Sequence, residues 1–104
     1  MTSKNRINNI QKLLNELGFK IDSLGYQYWI YAINKSCKEY WKYSYSMEII
    51  YNDVANFYNT TRDRVERCMR HASINAKEFI RNKYNYKGNI TTKVILQLLI
   101  REVF

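Results

Sequence analysis

Three side chains within the stretch TRDRVERCMRHA could do groove chemistry together: Glu66, Arg67 and Arg70. The planar fork of an arginine matches O6 and N7 of guanine, and a carboxylate can accept from the exocyclic amine of cytosine. At helical spacing Arg67 and Arg70 lie one turn apart near the centre of an outward face, so both can reach into one groove. A carboxylate facing DNA is costly against the phosphates. Glu66 on that face therefore points to base reading, or to orienting Arg70 four residues on. The bland alternative is a helix-surface ion pair between Glu66 and Arg70, worth roughly 0.2–0.5 kcal/mol. Arg64 and His71 fall on one flank, placed for phosphates, and Thr61 and Arg62 at the helix start can join the backbone N–H groups in holding another. His71 is the only histidine; beside arginines it is a hydrogen-bond donor and is given no acid–base role. Ile74 projects from the same face, either to touch a thymine methyl or simply exposed.

Those residues need a rod to hold them. The stretch from Tyr51 to Ile80 reads as a helix-turn-helix, with the recognition helix over about 61–80. Val65, Cys68, Met69, Ala72, Ala76, Phe79 and Ile80 form one apolar stripe, with the charged residues opposite. Thr60 is the expected N-cap, accepting from the N–H of Asp63, which brings negative charge to the first turn. Upstream, Val54, Ala55 and Tyr58 make a short apolar face. Asn59 tolerates the left-handed conformation that a tight turn requires. The same pattern also fits an amphipathic helix with a merely solvated basic face.

The segment NTTRDRVERCMRHA resembles the recognition-helix region of the C-terminal effector domain of the stage-zero sporulation master regulator family, response regulators of spore-forming bacteria. The similarity extends upstream through IIYNDVANFYNTT and through LLNELGFKIDSLGYQYWIYAI, so it covers most of the chain. The resemblance implies sequence-specific binding of double-stranded DNA, with base contacts from the Glu and two Arg of VER-x-x-RH, here Glu66, Arg67 and Arg70. It implies a short target box with G·C pairs at its centre. It also implies neighbouring copies on DNA that touch through the final helix, and a contact with RNA polymerase through the segment after the recognition helix. That segment is shorter here and lacks an extra short helix, which puts the polymerase contact in doubt. A phosphorylatable receiver precedes the effector domain in the family. This chain starts at Met1 without one, as a free-standing regulator or a fragment would.

Composition sets the frame. The 104 residues suit one small domain over 1–104 with a single core. Proline is absent and glycine occurs three times, so long helices and few turns follow. The expected fold is all-α, a compact bundle of about five helices containing the helix-turn-helix. A net charge of +8 favours an anionic partner, whether nucleic acid, acidic protein or membrane surface. Glu66 and Asp63 among the arginines suit a groove better than lipid. Cys37 and Cys68 have no Cys or His partner at metal-ligand spacing, and two buried thiols in a reducing cytoplasm are expected. No signal peptide or membrane span is read, and no metal or cofactor is expected. Nothing in the chain spaces a nucleophile, paired acids or a phosphate loop for catalysis, so no catalytic residue is assigned.

In chain order, Ser3 to Leu17 is the first helix, with Ile7, Ile10, Leu13, Leu14 and Leu17 as core and Gly18 as its stop. Phe19 and Ile21 should pin the connector. A second helix over Gly25 to about Tyr40 buries Tyr26, Trp29, Ile30, Ile33 and Cys37, leaving Tyr28, Tyr31, Lys35 and Lys38 elsewhere. Trp41 to Ser46 is a linker over the core, and Ser46 caps a short turn from Met47 to Tyr51. After Ile80 the segment RNKYNYKGN lacks periodicity and reads as a loop. Thr91 or Thr92 caps a final helix over about 91–104. Its apolar residues Val94, Ile95, Leu96, Leu98, Leu99, Ile100, Val103 and Phe104 surround nearly the whole circumference. Either the helix is deeply buried in one chain, or part of it meets a second subunit. The second is expected, with Leu96, Leu99, Ile100 and Val103 at a homodimer interface. The alternative function is a protein-interaction module that binds a related regulator through this helix.

Overall fold

The first helix, α1 (Ser3–Glu16), forms because its apolar residues recur every three or four positions, and Ile10, Leu13 and Leu14 vanish into the core. It stops at Gly18, whose φ of 81° is left-handed backbone that glycine adopts without strain. The amide of Phe19 donates to the Leu14 carbonyl and that of Gly18 to Asn15, closing a Schellman stop. The structure, a computed structural model, describes residues 3–39 and 46–103. Residues 41–45 of the linker expected from Trp41 to Ser46, the end of the second helix at Tyr40, and Phe104 lie outside them.

Helix α2 (Leu24–Lys38) is the hub. Ser23 caps it by accepting from the Tyr26 amide. It packs against α1 and against three later helices, α3 (Met47–Tyr58), α4 (Arg62–Ser73) and α6 (Thr92–Val103). Such a central position needs more than one apolar stripe, and this is why Tyr28 is buried although its phase put it off the apolar face. Its ring meets Tyr58 of α3 at 5.1 Å. Tyr31 likewise lies against Phe57, 4.5 Å between centroids, so the tyrosines of α2 fill space within the chain. Phe19 is buried edge-on to Trp29, but Ile21 is 53% exposed and does not pin the connector.

Helix α3 is continuous from Met47, where a short turn ahead of the helix was expected, and Ser46 makes no side-chain cap bond. After α4 comes a 3-10 turn (Ile74–Ala76), then α5 (Lys77–Tyr84). The expected single helix over 61–80 is thus broken. Ser73 is buried and its hydroxyl donates to the Arg70 carbonyl, a local bond that competes with helical pairing where the 3-10 turn begins. The α-helical phase is not carried through, and Phe79 ends 55% exposed, its ring over Gly18. The expected loop after Ile80 starts later, because α5 runs on to Tyr84 and stops at Asn85, a second left-handed asparagine. Arg81 then holds the loop by donating to the carbonyls of Tyr86 and Gly88.

Thr91 caps α6 by accepting from the Val94 amide. Ile95, Leu96, Leu99 and Ile100 are buried, while Lys93, Gln97 and Arg101 form an exposed stripe at four-residue spacing. Leu96, Leu99 and Ile100 therefore face the chain's own core and offer no surface to a second subunit, a correction to the interface expected there. Val103 is only half-buried. No described helix is long and apolar enough to cross a membrane.

Candidate nucleic-acid interface

Helix α3 ends at Asn59, whose φ of 54° and ψ of 52° supply the left-handed turn. The Thr60 amide donates back to the Ala55 carbonyl, so Thr60 belongs to the stop of α3. The N-cap of α4 is consequently Thr61 and not Thr60: its backbone is extended and its Oγ1 accepts from the Arg64 amide at 3.2 Å. Two helices joined by this three-residue turn set the angle at which α4 meets the rest of the chain.

The inner side of α4 is locked in place. Val65, Met69 and Ala72 are all but sealed from solvent. The Met69 carbonyl accepts from the Trp29 indole N–H at 2.8 Å, a buried polar bond from the hub helix. Gly25 of α2 lies so close that a Cβ there would stand 2.0 Å from the Cys68 carbonyl oxygen and 2.7 Å from the Ala72 Cβ. Only glycine permits this approach. Sequence reasoning took Gly25 only as the start of the second helix, and no local signal in the sequence marks the close approach of α4 to it.

The outer side carries the predicted residues. At about 100° per residue, Arg67 falls opposite the Val65–Met69–Ala72 stripe, with Glu66 and Arg70 on one flank and Arg64 and His71 on the other. Arg67, Arg70, Arg64 and His71 are exposed and Glu66 is half-buried. The structure thus brings Glu66, Arg67 and Arg70 onto one outward surface. Arg70 Nε donates to Glu66 Oε1 at 3.1 Å, so the ion pair weighed as the bland alternative is formed. It also fixes the direction of Arg70, and the two readings of Glu66 are compatible. Arg64 and Arg67 have no hydrogen-bond or ion-pair partner for their guanidinium groups among the described residues.

Arg62 does not join this surface. Its Nε donates to Glu48 Oε2 at 2.8 Å and its Nη2 to the other oxygen, while Nη1 reaches Asp63 at 3.1 Å. The guanidinium also sits 4.9 Å over the Tyr51 ring. The Arg62 hydrogen bond holds the Glu48 carboxyl below its usual range. Arg62 is a clasp between α3 and α4, and the phosphate role expected of it is not what its geometry offers. Thr61 uses one acceptor lone pair of its hydroxyl on the cap, and its O–H stays able to donate outward.

Cys37 is buried, with its thiol pushed up by burial against a smaller opposing effect of Arg6; Cys68 is half-buried and both are free. Among the described residues no group of three or more His, Cys, Asp or Glu side chains comes together to hold a metal ion.

An all-helical chain with one helix clamped on its inner side and cationic on its outer side has the arrangement by which a helix-turn-helix domain presents a helix to a nucleic acid. The family model described as Sporulation initiation factor Spo0A C terminal matches residues 10–94. The chain belongs to this family of DNA-binding effector domains, whose business is transcription regulation in sporulation and not enzymatic catalysis.

Proposed function

We propose that the chain binds double-stranded DNA sequence-specifically, with α4 in the major groove. The observation that carries this is the single outward surface of Glu66, Arg67 and Arg70 on a helix whose other side is held by Gly25, Trp29 and the core. Arg67, at the pole of α4, reads guanine O6 and N7. Arg70, steered by Glu66, reads a neighbouring pair. Arg64, His71 and the Thr61 hydroxyl contact the flanking phosphates. Neighbouring copies on tandem boxes belong to the same reading, and free thiols fit a cytoplasmic setting. The alternative of an interaction module docking through α6 finds little support, because Leu96, Leu99 and Ile100 are covered by their own chain.

Selection of bound duplexes from a random pool tests the reading. It should return a short box with central G·C pairs, and the protein should bind that box tighter than its scrambled counterpart. A pool that stays random after repeated rounds would contradict base reading.

A further inference from the structure

On the Arg64–His71 flank of α4, a groove of about 270 Å³ opens toward the N-terminal end of α2. Arg67, Cys68 and His71 form one wall, and Lys20 and Ser23 from the α1–α2 connector form the other. No carboxylate lines it; Asp22, the acidic residue of this connector, is not in its wall. The connector is fixed against α4. The Lys20 amide donates to the Ala72 carbonyl at 3.3 Å, and the Ser23 hydroxyl donates to the Lys20 carbonyl at 2.7 Å. The exposed Lys20 side chain has no ion pair among the described residues.

Lys20 and Arg67 put two positive charges beside one groove whose lining holds no carboxylate, and His71 adds a hydrogen-bond donor, a setting that favours an anion. The groove adjoins Arg67, the pole of the proposed reading surface. A duplex seated on α4 brings one of its strands past it. We propose that Lys20, with His71 opposite and the groove between them, clamps a backbone phosphodiester of the bound duplex. This extends the interface from α4 to the α1–α2 connector, and it rests on the reading that α4 faces DNA. Lys20 positions the duplex and carries no base preference.

The test is fluorescence anisotropy on preferred and scrambled duplexes across a range of salt, comparing wild type, Lys20→Gln and Lys20→Arg. The Gln variant should weaken both duplexes by the same factor and make the slope of log K against log salt shallower by about 0.9, one phosphate fewer. The Arg variant should keep the wild-type slope. Unchanged affinity and slope in Lys20→Gln would overturn the proposal, as would a loss confined to the preferred duplex. Equal wild-type affinity for the two duplexes would sink base reading alone, since the Lys20 slope is read on either one.

Discussion

Helices α4 and α6 are both twelve residues long, and each buries four side chains. Their sequences look nothing alike. Charged residues crowd α4, whereas α6 is apolar around most of its circumference. By composition, α6 looked like the helix with surface to spare for a partner. In the structure it spends that surface on its own core and turns Lys93, Gln97 and Arg101 to solvent. The helix with an outward face suited to recognition is α4, because burying Val65, Met69, Ala72 and Ser73 leaves its arginines exposed. The number of apolar residues on a helix says how it is held. What it can bind depends on which residues remain outside.

The comparison can be broken most forcefully at α6. Leu99→Ala should cost about 2–5 kcal/mol, the usual penalty for a core leucine, read as a lowered midpoint in thermal or denaturant unfolding. A near-neutral result would return Leu99 to an interface between copies. At α4 the sharper probe is Gly25→Ala. Its new Cβ would meet the backbone of Cys68, so α2 and α4 must part, at about 1–3 kcal/mol for overpacking. Duplex binding should weaken along with stability, because α4 is displaced as a unit.

The smallest effect belongs to the clasp between α3 and α4. Arg62 holds the Glu48 carboxyl below its unfolded value of 4.5. Its contribution is therefore fully present above about pH 4.5 and is lost as pH falls through the lower folded value. Glu48→Gln should slightly lower stability at neutral pH and flatten the acid limb of the stability curve. Glu48 is exposed and Arg62 partly so, and the change will be modest. An acid limb identical to wild type would show that the clasp contributes nothing.

Much of this architecture was legible from local pattern. Gly18 and Asn59 announced their left-handed stops, and the apolar spacing of α1, α2 and α4 marked their inner sides. The outward placement of Glu66, Arg67 and Arg70 followed from period alone. Other features depended on neighbours that no local window contains. Thr60 and Thr61 satisfy the same capping rule, and the choice fell to Thr61 because the stop of α3 had already claimed the Thr60 amide. Tyr28 is buried with its ring against Tyr58 of α3, a neighbour from another helix. Arg62 read as one more cation until Glu48 arrived from another helix. Lys20 stands far from α4 in sequence and beside it in space.

The central claim is that recognition resides on the outward face of α4 and not on that of α6. The most direct measurement is the ratio of affinities for a selected box and its scrambled counterpart, in wild type, Arg67→Ala and Arg101→Ala. The account predicts that Arg67→Ala loses about 1–3 kcal/mol of that discrimination with its unfolding midpoint unchanged, while Arg101→Ala keeps the wild-type ratio. A ratio that survives Arg67→Ala, or collapses with Arg101→Ala, would contradict it.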